Sequence, residues 1–292
     1  MFDTEQELPS AELTAISESL IGFNAHYSAM KRHLALALMP DRLDEWSQKF
    51  YKKRISLCDV VRQRYPLFLL SGDVGTGKTV TAECAANRVT DEMKKEGFLL
   101  KLSTRVRGQG LHGEMSQLIQ EAFENLSIQA GKKRLSFLII DEADSIASLR
   151  STQQMHQEEK AAVNTLIQKI DNIRSVGGRA VVFLCTNRPS VIDQAIVRRT
   201  ALHIEFERPD QKECLELLKH DLEGTSVTCD QLKELALLTS PDGLYKDLGY
   251  TFSDFRLRFF PEALVRAYPD EELSFEILKD TVSCLSPSPR IT

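Results

Sequence analysis

The sequence predicts an α/β fold in which a five-stranded parallel sheet is flanked by helices and followed by an all-helical C-terminal part. Two observations predict it. Short runs that are apolar on both faces alternate with amphipathic segments, the pattern of a parallel sheet covered on both sides. Beyond Pro209 no strong apolar run recurs, only helical periodicity. A chain of 292 residues is long enough for a well-buried core.

The elements follow in order. Residues 11–64 are rich in helix formers, and Leu34, Leu38, Trp46 and Phe50 recur at helical spacings around a break at Pro40. Pro66 to Ser71 is the first buried strand, and glycines 72, 75 and 77 turn the chain after it. Thr79 to Lys95 reads as a helix closed by Gly97, and Phe98 to Leu102 as the second strand. Met115 to Leu126 repeats the helical pattern, and Leu135 to Ile140 is a third strand of unbroken apolarity. After a polar stretch from Ser151 to Lys160, Val163, Ile167, Ile170 and Ile173 mark one helical face. Val181 to Cys185 and Leu202 to Phe206 complete the five strands. Asp210 with Glu213 fits a capping box that opens helices over 210–221, 229–239, 253–267 and 273–284. The expected division is therefore a large α/β subdomain over 1–208 and a small helical lid over 209–292, with Ser286-Pro-Ser-Pro-Arg290 fraying at the end.

Composition narrows the class. With 42% hydrophobic and 27% charged residues the chain reads as an ordinary globular protein, and a net charge of -5 exerts no global pull toward nucleic acid or anionic lipid. The acidic N-terminus has no apolar core of a secretory signal behind it, and no apolar run approaches the roughly 20 residues of a membrane helix. The cytoplasm is the expected compartment. The six cysteines never come in close pairs, so they are expected to be free, structural thiols.

Gly72, Asp73, Val74, Gly75, Thr76, Gly77, Lys78 and Thr79 match the phosphate-binding loop in full, between a strand and a helix as its mechanism requires. Glycines let the backbone curl so that its N–H groups and the helix N-terminus point at phosphates; Val80 follows as a further nucleotide contact. Lys78 neutralises β/γ oxygens and Thr79 can hold Mg2+, which implies ATP with magnesium. Asp141 ends an apolar strand, where its carboxylate can meet magnesium, and Glu142 directly after it is placed to deprotonate the attacking water. Asp144 reads as a first-turn carboxylate near a helix dipole. Asp141 to Asp144 spells the letters that name a helicase family, but too little chain follows for the second α/β domain such helicases need.

The whole of this pattern resembles the AAA+ superfamily over nearly the entire chain. Leu20-Ile21-Gly22-Phe23 is similar to the segment those proteins place beside the adenine, which implies Ile21 and Gly22 as contacts. Cys185-Thr186-Asn187 resembles the sensor-1 segment, implying that Asn187 positions the water or γ-phosphate. Ile192 to Arg199 is similar to the segment that offers an arginine finger to the neighbouring subunit, through Arg199 with Arg198 as the alternative. Phe252 to Pro261 resembles the sensor-2 region without its glycine-arginine pairing, leaving Arg256 or Arg258 for that part.

Within the superfamily, Leu135 to Glu142, Arg150, Ala162 to Asp171 and Ile192 to Arg199 resemble the pachytene-checkpoint type that remodels HORMA-domain proteins, in its bacterial anti-phage version. The resemblance implies a homo-hexamer that pulls a HORMA-domain protein, bound to a cyclic-nucleotide synthase, through a central pore. It would thereby act as a negative regulator of CBASS-type signalling. Leu111, His112 and Gly113 stand where such proteins put the first pore loop, although without the usual aromatic residue, and Ser151 to Lys160 stands where a second would lie. The alternative is an AAA+ ATPase acting on nucleic acid, such as a helicase loader or transposition helper. It would use the basic runs Lys52 to Arg54 and Lys132 to Arg134 with Arg105 and Arg107, but such runs are usually solvated faces and the net charge favours the remodeller.

Overall fold

The computed structural model describes residues 2–102, 114–148, 157–176 and 178–290. The chain divides into two compact units, residues 1–71 with 79–205 and residues 72–78 with 206–292.

The first unit is built on a six-stranded sheet in the order β1-β3-β4-β5-β2-β6: β1 (Phe2–Leu8), β2 (Leu67–Gly72), β3 (Gly97–Leu102), β4 (Leu135–Ile140), β5 (Ala180–Thr186) and β6 (Leu202–Phe206). The pairs β3–β4, β4–β5 and β5–β2 are parallel, in a register that puts Ile140 beside Leu184 and Ser71 beside Thr186. Every residue of β4 and β5 is buried, which is why both read as unbroken apolar runs. The flanking helices are α1 (Ala11–Ser19), α2 (Phe23–Leu38), α3 (Asp41–Tyr51), α4 (Leu57–Arg62), α5 (Lys78–Glu92), α6 (Glu114–Gly131), α7 (Gln157–Ile173) and α8 (Gln194–Val197). Ile119 and Phe123 of α6 and Val163, Leu166 and Ile170 of α7 close one core with Leu138, Ile140, Val182 and Leu184 of the sheet.

All five expected strands are present, and β1 is a sixth that the sequence does not announce. It runs antiparallel to β3 from Phe2 beside Leu102 to Leu8 beside Gly97. Its interior, Asp-Thr-Glu-Gln-Glu, has poor strand propensity, and the edge position formed by ladder bonds to β3 overrides it. The break at Pro40 falls between α2 and α3, and Leu34 and Leu38 are buried as their spacing implies. Trp46 and Phe50 are not: they are 41% and 62% exposed. Trp46 leans on Phe50 and Tyr51 with centroids 5.9 and 5.5 Å apart, and exposed Leu57 and Val60 of α4 follow. Periodicity identifies a helix but not which face meets the core. The buried residue of α3 is Ser47, whose hydroxyl donates to the Lys53 carbonyl and accepts from the Ile55 amide.

The second unit contains α9 (Gln211–Asp221), α10 (Cys229–Thr239), α11 (Phe252–Asp254), a π-helical turn at Phe255–Phe259, α12 (Phe260–Ala267) and α13 (Phe275–Cys284). The capping box of Asp210 and Glu213 forms, and Thr228 with Gln231 and Thr251 with Asp254 repeat it. The single helix expected over 253–267 is interrupted by the π-turn, in which Phe255 and Phe259 pack edge-on against buried Tyr250 at 5.4 and 6.0 Å. Nor does the tail fray. Pro287 is buried, Ser288 donates through Oγ and N to the two oxygens of Asp254 at 2.6 and 3.1 Å, and the Tyr250 hydroxyl donates to the Leu285 carbonyl. A carboxylate as buried as Asp254 must be surrounded by donors, and the tail supplies two of them.

Cys58, Cys84, Cys185 and Cys214 are buried, Cys229 and Cys284 exposed, and all six are free; burial pushes the Cys84 and Cys214 thiols up to about 12. Among the described residues no helix is long and apolar enough to cross a membrane.

Burial works against ionisation of Asp254, but hydrogen bonds from Ser288, the Thr251 backbone and Arg258 outweigh it and hold the carboxyl below its ordinary value of 3.8. A lowered folded-state pKa gives stability that is complete above the ordinary value and is lost as pH falls through the folded one. Asp254→Asn should therefore cost on the order of 1–3 kcal/mol at neutral pH. In urea unfolding followed from about pH 7 to about pH 3, the wild-type advantage should shrink only below the ordinary carboxylate value.

Candidate active site

In the first unit, the parallel register brings the carboxyl ends of β2, β4 and β5 to one edge of the sheet. Thr79, in the first turn of α5, donates its hydroxyl to Asp141 Oδ2 at 2.8 Å, and Asp141 Oδ1 accepts the Glu142 amide at 2.9 Å. A hydroxyl and a carboxylate converging in this way are hard oxygen donors of the kind Mg2+ takes together with water. Glu142 adopts φ 48, ψ 44, the left-handed region, and its side chain is exposed. A side chain with Cβ pays about 1–2 kcal/mol for that backbone, a strain typical of catalytic turns.

Asp144 does more than sit near a dipole. Its Oδ1 accepts the Thr186 hydroxyl at 2.9 Å, and Thr186 Oγ1 accepts the Arg188 amide at 3.0 Å. This ties the turn after β4 to the end of β5 on both sides of half-buried Asn187. Sequence reasoning missed the bond because its partners lie 42 residues apart.

The two arginines after α8 differ. Arg198 is exposed, whereas Arg199 grips Asp171 with Nε and Nη2 at 2.7 and 3.0 Å and donates through Nη1 to the Ala195 carbonyl at 2.9 Å. Its guanidinium lies over the Tyr65 ring at 5.5 Å, and its hydrogen bond holds the Asp171 carboxyl below the usual range. Ile21 and Gly22 form the turn between α1 and α2, where Gly22 has φ 75 and Phe23 stacks on Tyr27 at 5.7 Å.

In the second unit, the loop 72–78 curls on glycines. A Cβ at Gly72 would lie 2.1 Å from the Phe206 carbonyl oxygen, and one at Gly75 2.6 Å from the Ser253 Cβ, so neither position accepts a side chain. Gly77 has φ 89. Thr76 donates to the Asp73 carbonyl at 2.8 Å, and Lys78 Nζ donates to the Gly72 and Asp73 carbonyls at 3.0 and 2.7 Å. Thr76 and Lys78 are buried, Val74 is exposed, and Val80 follows half-buried in α5. A loop curled on three positive-φ glycines ahead of a helix N-terminus, with a buried ammonium, fits a polyphosphate.

Asp73 carries an unforeseen partner: Arg208 Nε donates to its Oδ2 at 2.7 Å. No motif marks Arg208 in the sequence. In the π-turn, Arg256 pairs with Asp221 at 3.0 Å, while Arg258 pairs with buried Asp254 at 2.7 Å and donates to Ser288 Oγ at 3.3 Å. Leu111, His112 and Gly113, like Arg105, Arg107, Arg150 and residues 151–156, lie outside the described residues.

The backbone at residue 142 makes a specific demand. Glu142→Gly should raise stability by about 1 kcal/mol, the relieved strain being partly offset by unfolded-chain entropy, whereas Glu142→Gln should leave it unchanged. Denaturant unfolding of the two variants checks this; equal stability of both would mean that residue 142 is not strained.

Residues 68–208 match the family described as ATPase family associated with various cellular activities (AAA). Over 291 residues, 99% of this chain and 97% of the relative, the sequence is 46% identical to CD-NTase-associated protein 6 of Escherichia coli (strain KTE188). The fold is similar to a chain of the solved E. coli MS115-1 HORMA:CdnC:Trip13 complex, with 34% identity, TM-score 0.90, and 100% of this chain and 97% of that one covered. It is also similar to Rhizobiales Trip13, with 30% identity, TM-score 0.75 and 99% and 100% covered. A chain matched along its whole length at this identity, with the phosphate loop complete, belongs to the CD-NTase-associated protein 6 family of AAA ATPases and is an ATP hydrolase.

Proposed function

We propose that this chain is an ATP-driven protein remodeller that works as a homo-hexamer, partially unfolding or disassembling a HORMA-domain protein bound to a cyclic-nucleotide synthase by pulling it through a central pore. It would act in the cytoplasm as a negative regulator of CBASS-type anti-phage signalling. The observation that carries this reading is the whole-chain likeness, at TM-score 0.90, to a chain of a complex that contains a HORMA protein and CdnC. The nucleic-acid alternative loses some support because the arginine of each described basic run is ion-paired locally: Arg54 with Asp44 and Asp59, Arg134 with Glu7 and Glu96.

The roles follow from chemistry. Residues 1–208 form the large nucleotide-binding subdomain and 209–292 the lid. Gly72 to Lys78 wrap phosphates with backbone N–H groups, and the Lys78 ammonium offsets their charge. Thr79 and Asp141 would hold Mg2+, which would supply positive charge against the phosphates. Glu142 takes the proton of the attacking water while Asn187 orients it. Ile21 and Gly22 lie beside the adenine, Val80 is a further nucleotide contact, and Arg256, with Arg258 as the alternative, senses the phosphates from the lid. Leu111, His112 and Gly113 touch the substrate in the pore.

Arg199 and Arg198 are the pair from which a neighbouring subunit's γ-phosphate is contacted. The grip of Asp171 makes Arg199 the fixed member, and its exposure makes Arg198 the freer one.

Lys78→Ala should lose binding of labelled ATP, because the charge-offsetting ammonium goes while the loop remains. Unchanged affinity would remove the loop from its role. For the remodelling reading, the ATPase rate should rise with a HORMA protein and not with DNA, and the HORMA protein should leave its synthase only when ATP turns over.

The arginines are tested in mixed rings. Arg199→Ala or Arg198→Ala should bind ATP yet lose hydrolysis, by up to the 10³ to 10⁵ ascribed to arginine fingers, roughly, and less where the neighbour compensates. Mixing the affected variant with Glu142→Gln should restore activity that neither has alone, with a maximum at intermediate ratios. If subunits exchange and no mixture gains activity, neither arginine acts across subunits.

A further inference from the structure

The motif that builds a phosphate loop leaves its second position open, and this chain puts a carboxylate there. An aspartate beside bound phosphates repels them unless a cation neutralises it. The cation is Arg208, whose side chain is only 3% exposed against 17% for Asp73. Nε meets Asp73 Oδ2 at 2.7 Å, and Nη1 donates to the carbonyls of Leu248 and Gly249 at 2.7 and 2.8 Å. The residues just beyond those carbonyls return to the loop: the Ser253 amide donates to the Gly75 carbonyl at 3.2 Å, and Ser253 packs where Gly75 lacks a side chain. Arg290 adds a weaker cation 3.9 Å from the same carboxylate.

We infer that Arg208 is a positioning residue for ATP binding: it neutralises Asp73 within the phosphate loop and, through the same guanidinium, fixes that loop to the 248–254 segment that leads into the sensor-2 turn. Arginine suits both tasks at once, since its planar fork serves a carboxylate and carbonyls together, whereas lysine presents a single point charge. The inference rests on the reading of residues 72–79 as the phosphate site. It adds a residue that never touches nucleotide yet sets its affinity, and it assigns Asp73 a cost that Arg208 offsets in the main, with Arg290 a weaker second cation.

The test uses the full chain, with equilibrium binding of labelled ATP and of ADP, and thermal unfolding alongside. Arg208→Met should weaken both nucleotides about tenfold or more, because an unpaired carboxylate then faces their phosphates. Asp73→Asn alone should weaken them little, and added to Arg208→Met it should restore most of the lost affinity. A purely structural arginine predicts no such rescue. Leu278→Ala, a core truncation in the same unit away from the loop, should lower the melting temperature and leave nucleotide affinity within about twofold.

Failure of Asp73→Asn to improve binding in the Arg208→Met background would overturn the inference. So would affinity in Arg208→Met within about twofold of wild type. If Arg208→Met does not fold, Arg208→Lys takes its place: affinity reduced and then restored by Asp73→Asn supports the assignment, and no reduction overturns it. Lys78→Ala separates the two levels. Intact ATP binding in that variant sinks the phosphate-site reading itself, whereas loss there together with an unaffected Arg208→Met sinks only the role of Arg208.

Discussion

The parallel register of β2, β4 and β5 is the constraint on which the chemistry depends. Parallel strands all deliver their carboxyl ends to the same edge, so residues far apart in sequence arrive together with no connection between them beyond the ladder. Here it brings Asp141 to Thr79 across 62 positions of chain and Asp144 to Thr186 across 42. A one-residue slip of β4 would exchange the side chains packed on its two buried faces, so close packing of the core fixes the turn after β4 as a by-product. That economy explains why strands with no polar residue except Ser71, Ser136 and Thr186 govern a polar site.

The same logic decides what could be read in advance. The phosphate loop, the Asp141–Glu142 step and the five core strands were legible because their signals are local: glycines where the backbone must curl, apolar runs where both faces are buried, a carboxylate at a strand end. The capping box at Asp210 and Glu213 was legible for the same reason. What stayed hidden is non-local. β1 is polar and owes its conformation to β3; Arg208 has no motif and acquires meaning only opposite Asp73, 135 positions earlier. The Asp254 carboxylate captures a proline-rich tail that composition alone assigns to disorder. The difference between Arg198 and Arg199, adjacent and identical in type, lies in what stands beside Arg199: Asp171, the Ala195 carbonyl and the Tyr65 ring.

In the second unit an apolar core that includes Leu217, Leu218, Leu235, Leu278 and Val282 is joined by directional polar contacts. Around its aromatic centre, Tyr250 with Phe255 and Phe259, several of these contacts satisfy a backbone group or a buried charge. Three capping boxes start α9, α10 and α11, and the carbonyls of Leu248 and Gly249 end on a guanidinium. Such a scaffold is specific in geometry, since each bond has a defined direction, and sensitive to charge, since several of them converge on Asp73 and Asp254.

The exposed aromatic face of α3 has a practical consequence for watching this molecule at work. Trp46 is the chain's one tryptophan, and it stands at the surface between Phe50 and Tyr51 rather than in either core. Its fluorescence therefore reports the polarity of that patch. A blue shift on mixing with another protein would signal that α3 has been covered, giving the chain a built-in optical label for one surface.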